Sequence, residues 1–250
     1  MFKKVTEHVY IKDFDPSTDK PNIGYIKGEK YSLLFEAGNS PAHADEIRRE
    51  LADAGLKEPD LLAVSHWHWD HTFAMCAWQV PVIAGRATNE ELIKQMNMEW
   101  TDEALARRVE DGTEILFCAS MLKKEYGDLG RVQVVPADIV FDDALRVDLG
   151  GVSCSFHTIV NPHSADSVVC YVPEDRFLFL GDSDSKDLYG KPWTYDPEHP
   201  ECLVPAMDAI PFDEDKLSAY ISAVKAYDFD LCIDGHIPMM TRSELLGSLQ

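Results

Sequence analysis

No apolar run in this 250-residue chain approaches the ~20 residues that a membrane-crossing helix needs. The opening Met1-Phe2-Lys3-Lys4-Val5-Thr6-Glu7 has no apolar core behind its lysines, so it does not read as a secretory signal. Cys-x-x-Cys is missing too: the six cysteines, at 76, 118, 154, 170, 202 and 232, are scattered. Several lie in apolar runs, so buried reduced thiols in a cytoplasmic protein are the expectation. Basic residues are scarce, 23 Lys and Arg against 44 Asp and Glu, for a net charge of −21. Such a surface repels phosphates, whose binding needs clustered Lys and Arg, so neither nucleic acid nor a membrane is expected as a partner. Apolar content of 45% is ordinary for a globular chain, and one domain over 1–250 with a single large core is expected. Nothing in these quantities sets an oligomeric state.

The most informative stretch is Ser65-His66-Trp67-His68-Trp69-Asp70-His71, with three imidazoles and a carboxylate. Imidazole nitrogen and carboxylate oxygen are the ligands of borderline divalent metals such as zinc. Leu61-Leu62-Ala63-Val64 precedes it and reads as a buried strand, so the ligands fall where a strand ends. His66 and His68, two apart, project to one side of an extended backbone, and Asp70 and His71 open the next helix.

The same pattern returns downstream. Val152 to His157 is strand-like, and Asn161-Pro162-His163-Ser164 follows it. Phe177-Leu178-Phe179-Leu180 runs into Gly181-Asp182, and Asp230-Leu231-Cys232-Ile233 into Asp234-Gly235-His236. Each apolar run ends in a potential ligand: His163, Asp182, His236.

This order of motifs, from about Asn22 to His236, resembles the metallo-β-lactamase superfamily of metallohydrolases. The resemblance implies an α/β fold, a four-layer αβ/βα sandwich, and a site for two divalent metals. Zinc is the expected metal, with manganese or iron as alternatives. His66, His68 and His163 would hold the first metal, Asp70, His71 and His236 the second, and Asp182 would bridge them. Histidine rather than glutamate at 68 points away from the di-iron oxidoreductase branch. Aspartate rather than cysteine at 182 separates the chain from the β-lactamases with cysteine there. Two departures reshape the pocket walls. Thr72-Phe73-Ala74-Met75 stands where glycines are usual, and Asn161-Pro162-His163-Ser164 where Pro-Gly-His is usual. The 14 residues after His236 hold no helical domain of the glyoxalase II type, so that enzyme is not expected.

Along the chain, strands are expected over Val5–Ile11, over Tyr25–Glu36 with a turn at Gly28-Glu29, and over Val80–Ala84. A helix over Ala42–Ala54 ends at Gly55, and another runs from Asp70 through Cys76. A mostly helical insertion spans about 88–126, and its Met, Trp and charged residues suit a wall at the site's mouth. Strands are then expected near 132–135, 139–141, 145–149, 152–158, 167–172 and 177–180. Helices follow over Asp213–Tyr227 and Thr241–Leu246. Tyr189, Trp193 and Tyr195, in a Gly/Pro-bearing loop after Asp182, are the candidate substrate contacts. A tyrosine hydroxyl there would donate to a developing oxyanion.

The chemistry expected is hydrolysis of a small ester, lactone, thioester or amide by a metal-bridging hydroxide, since a divalent metal brings the pKa of bound water from 15.7 towards ~7. Asp70 would orient the nucleophile and relay its proton, while Ser65 or Asp234 would steady the imidazoles. A phosphodiesterase of the same fold is the alternative. A mononuclear iron oxygenase resembling persulfide dioxygenases, and a sensor with an inert metal site, are alternatives of other classes.

Overall fold

The computed structural model describes residues 1–189 and 213–249. The first sheet holds seven strands in sequence order: β1 (Lys3–Lys4), β2 (Val9–Lys12), β3 (Ile23–Lys27), β4 (Ser32–Phe35), β5 (Leu61–Ala63), β6 (Val82–Gly85) and β7 (Ile139–Phe141). Strands β1 to β4 pair antiparallel, and β4 to β7 pair parallel. The parallel pairs need crossovers, and helices supply them. These are α1 (Pro41–Asp53), the short α2 (Trp69–Thr72), then α3 (Arg86–Met96), α4 (Asp102–Glu110) and α5 (Leu116–Tyr126).

The second sheet holds β8 (Ala144–Asp148), β9 (Ser153–Thr158), β10 (Val168–Val172), β11 (Phe177–Gly181), β12 (Leu231–Asp234) and β13 (Met240–Thr241), in spatial order β13-β12-β11-β10-β9-β8. Only β11 and β12 run parallel in it, joined through α6 (Glu214–Lys225), and α7 (Arg242–Ser248) follows β13.

Alternation within strands builds the layers. In β4, Leu33 and Phe35 join the core between the sheets, while Leu34 faces the helices. In β11, Phe177 and Phe179 face inward and Leu178 and Leu180 pack on Tyr220 and Val224 of α6. Strands buried on both faces read as unbroken apolar runs, which is why these stand out in the sequence. Phe35 meets Phe179 at 5.1 Å and Phe156 at 6.4 Å between ring centroids, tying the sheets together. With α1 outside the first sheet and α6 and α7 outside the second, the fold is the expected four-layer αβ/βα sandwich.

Three local expectations differ. Val5–Ile11 is not one strand: β1 pairs back on β2, with Lys3 opposite Ile11 across a turn. The helix from Asp70 stops at Thr72, and a separate 3-10 turn covers Met75–Ala77. Val132–Val135 forms no strand. Val134 is buried against the helix-side core, and Pro136, which has no N–H to give a ladder, follows it. Burial alone produced the strand-like pattern there.

The 88–126 segment becomes α3 to α5. Leu92, Leu105, Ile115 and Leu122 are buried in the core under the first sheet, while Met96 and Met98 are exposed. No helix among the described residues is long and apolar enough to cross a membrane.

Candidate metal centre

Each expected ligand leaves the carboxyl end of a strand, at the edge where the two sheets meet. His66 follows β5, His68 caps α2, and Asp70 and His71 lie within α2. His163 sits in the β9–β10 loop, Asp182 follows β11, and His236 follows β12. Two glycines allow the approach. Gly181 has φ +56°, and a Cβ on it would meet Ser65 Oγ at 2.5 Å. A Cβ on Gly235 would collide with Asp182 Oδ1 and stand 2.9 Å from His71 Cε1.

The seven side chains form two groups, His66, His68 and His163 in one and Asp70, His71, Asp182 and His236 in the other. Within each, the ligand atoms lie within 4.8 Å of one another. Asp182 lies between the groups: Oδ2 is 3.7 Å from His163 Nε2 and 3.4 Å from His236 Nε2, while Oδ1 is 3.4 Å from His71 Nε2. Asp70 Oδ2 stands 3.0 Å from both His71 Nε2 and His236 Nε2. His236 keeps 29% of its side chain exposed, whereas the other six residues are buried.

The donor atoms fit divalent metals. His66 Nε2, His71 Nε2 and Asp182 Oδ1 are buried without a hydrogen-bond partner, an arrangement that costs free energy unless something else binds them. His163 Nδ1 lies 3.0 Å from Lys186 O, which fixes the proton on Nδ1 and turns the lone pair of Nε2 inward. That Nε2 faces His68 Nδ1 at 3.0 Å, close to the roughly 3.3 Å that separates two imidazole ligands on one tetrahedral zinc at Zn–N ~2.0–2.1 Å.

The outer nitrogens have partners of two kinds. His66 Nδ1 meets Ser65 Oγ at 2.8 Å, and His163 meets the Lys186 carbonyl. His71 Nδ1 lies 3.3 Å from Glu36 Oε2, and His236 Nδ1 lies 3.7 Å from Asp19 Oδ1, ion-pair contacts rather than hydrogen bonds. Such partners orient ligating imidazoles. Ser65 was legible as a partner of this kind. Asp234 instead accepts the His236 backbone N–H at 2.7 Å, steadying the loop rather than the ring. Sequence reasoning passes over Glu36 and Asp19. Glu36 ends the apolar run of β4, the same signal that marks the ligands, whereas Asp19 has no such run before it.

Burial and charge divide the groups further. Burial pushes His66 and His68 well below the ordinary histidine value, so both stay neutral. Burial also opposes charge on His71 and His236, but the carboxylates around them win and raise both well above it. Burial works against ionisation of Asp70 and Asp182 as well, yet the same histidines hold both well below the carboxylate range. Burial, with Asp70 nearby, lifts Asp19 to about 7.

A cavity of about 230 Å³ opens on the two groups, bounded by Ile115, Phe117, Cys118, Leu188 and Tyr189 on one side and Asp19 on the other. The start of α5 and the turn before it thus border the site. The Tyr189 ring packs 5.1 Å from that of His68, but its hydroxyl donates to Glu114 Oε1 at 2.9 Å. The ring, not the hydroxyl, is what Tyr189 presents to the site. Trp193 and Tyr195 lie outside the described residues.

A family model described as the metallo-beta-lactamase superfamily matches residues 17–215. Among solved structures, a metallo-beta-lactamase from Pontibacter korlensis is similar, with a TM-score of 0.62, 18% identity, and 100% of this chain and 98% of that one covered. BJP-1, a subclass B3 metallo-beta-lactamase of Bradyrhizobium japonicum, gives 0.57 at 18% identity over 94% of this chain and 77% of its own. A double mutant of the sec-alkyl sulfatase PisA1 gives 0.64 at 16% identity over 99% of this chain and 40% of its own. At these identities the likeness shows the fold. No curated protein matches the sequence significantly.

Proposed function

The chain belongs to the metallo-beta-lactamase superfamily of metal-dependent hydrolases, and on that premise we propose that it cleaves a small acyl substrate, an ester, lactone, thioester or amide, using two divalent metals. The observation that carries the reading is the pair of ligand groups with Asp182 between them. Zinc suits the imidazole-rich set best, and manganese or iron are accommodated by the carboxylates. When bound, such metals supply an acidified water and a Lewis acid for a carbonyl oxygen.

The side chains divide the remaining work. Asp182 fixes the spacing of the two groups. Asp70 lines the cavity with a carboxylate that His71 and His236 keep ionised, so it can take the proton of the attacking water and pass it to the leaving atom. The wall of Ile115, Phe117, Leu188 and Tyr189 excludes water and favours an apolar acyl group. Apart from the histidines of the two groups, Lys186 is the one basic side chain among the described cavity residues, and no cluster of Lys or Arg for a polyanion accompanies it.

The test joins metal content to a substrate panel. Protein purified without chelator should hold two metals per chain. A lactone, a thioester or an aryl ester should exceed a phosphodiester and an oligonucleotide in kcat/KM by tenfold or more, about 1.4 kcal/mol of transition-state preference. A phosphodiester ahead by tenfold would replace this reading with a phosphodiesterase. One iron per chain with oxygen consumption would replace it with an oxygenase.

A further inference from the structure

Asp19 stands outside the seven-residue set, yet its carboxylate reaches it. The residue belongs to the short loop between β2 and β3 and takes the left-handed conformation, φ 57° and ψ 45°. That conformation is uncommon for a residue with a Cβ, although Asp and Asn adopt it more readily than most, and its surroundings can hold it there. Here they do. Asp15 and Lys20 exchange backbone hydrogen bonds of 2.9 Å across the loop. Thr18 O accepts from Asn39 Nδ2 at 2.6 Å, and Ser17 O accepts from Lys124 Nζ at 2.6 Å. Lys20 Nζ donates to Glu46 at 2.6 Å.

What this anchoring delivers is a carboxylate 3.7 Å from His236 Nδ1. It lies on the far side of the ring from Nε2, which faces Asp70 and Asp182. His236 is also the only ion-pair partner of Asp19 among the described residues. His236 needs such a partner more than the other imidazoles do. It is the most exposed of the ligand set, and it hangs from a loop beyond β12 rather than from a helix.

We infer that Asp19 is a positioning residue for the second metal: it holds His236 with Nε2 turned inward and adds negative charge behind that imidazole. The inference rests on the two-metal reading above. A carboxylate behind an imidazole raises its basicity as a ligand. Glu36 does the same for His71, so both imidazoles of this group are backed by carboxylates. In the first group, His66 is backed by a hydroxyl and His163 by a carbonyl. The two metal positions are therefore unequal, and Asp19 acts on one of them alone.

Metal-free protein titrated with zinc against a competing chelator tests this. Asp19→Asn removes the charge while keeping a side chain that tolerates the left-handed region. Asp19→Gly removes the side chain at a φ that glycine adopts without strain. Wild type should take up two zinc ions. Both variants should keep one at wild-type affinity and bind the other about 10- to 100-fold more weakly. Second-ion affinities within threefold of wild type in both variants, with unchanged melting of the metal-free proteins, overturn the inference. So does an equal loss at both positions. A wild type that binds a single zinc ion removes the two-metal reading beneath it.

Discussion

Replacing Gly235 by alanine puts one methyl group into the most crowded point of the centre. The new Cβ would collide with Asp182 Oδ1 and lie 2.9 Å from His71 Cε1, where relaxed carbon contacts need about 3.5 Å. The backbone cannot retreat. Gly235 N donates to Gly181 O at 2.8 Å, and Gly235 O accepts from Asn22 N at 2.6 Å, so the peptide is held from both sheets. The displacement therefore falls on the Asp182 carboxylate, which must swing away by about 1 Å or more. Misplacement on that scale costs about 100-fold in rate, or about 2.7 kcal/mol. Gly235→Ala should lose that much kcat and bind less than two metals per chain in elemental analysis, while its far-UV circular dichroism stays that of the parent. Full metal content with kcat within threefold of the parent would refute the claim that Asp182 is held at a fixed place between the groups.

Other perturbations separate the remaining roles. Asp70→Asn should lower kcat by about 10²- to 10⁴-fold and change KM little; near-parental turnover at full metal occupancy would remove Asp70 from the proton relay. Chelation should lower the melting temperature, because each metal at 100 times its Kd adds about 2.7 kcal/mol, or roughly 5–10 °C for a chain of this size; an unchanged Tm in calorimetry would argue against tight binding. His43, buried at the start of α1, is pushed by burial from 6.5 down to about 3, so the unfolded chain takes up a proton that the folded one refuses. Its contribution is present above pH 6.5 and is lost as pH falls towards 3, by about 2 kcal/mol at pH 5. Urea titrations of His43→Gln should show a correspondingly flatter loss between pH 7 and 5, and identical slopes would contradict this.

The residues of the two candidate ligand groups stand out in the sequence because their signal is local. A run buried on both faces must be apolar, and a polar residue at its end is conspicuous, as with Phe177-Leu178-Phe179-Leu180 before Gly181-Asp182. Glu36 carries the same signal after β4, though sequence reasoning passes over it. Asp19 carries no such signal. Its loop is polar on both sides, and its approach to His236 depends on how the sheets stack. Asn22 makes that connection, donating to Asp234 O and Ile237 O at 2.8 Å across more than two hundred residues of sequence. The Tyr189 hydroxyl illustrates the opposite error. A tyrosine near a site suggests a donor, but its partner Glu114 comes from the insertion, 75 residues away.

The departures from the usual motif have a physical counterpart. Asn161 stands where a compact turn must precede His163, and its side chain makes that turn. Oδ1 accepts from His163 N at 2.9 Å and Ser164 N at 3.0 Å, while Nδ2 donates to Ile159 O and Ser164 O. Asp166 then clamps this loop of the second sheet onto the first. Its carboxylate accepts from Trp67 N at 2.9 Å, and Val168 N donates to Ser65 O at 2.8 Å. Trp67 lies between His66 and His68, so the three imidazoles of the first group are held as one unit by hydrogen bonds that cross the sandwich. The second group spans the sheets through Asp182 and its two imidazoles instead, with carboxylates behind both rings. One group is thus fixed chiefly by hydrogen bonds to backbone amides and the other chiefly by paired charges. Salt and pH should act on the second before the first, since a charge pair at the half-exposed His236 is screened far more readily than a buried amide bond.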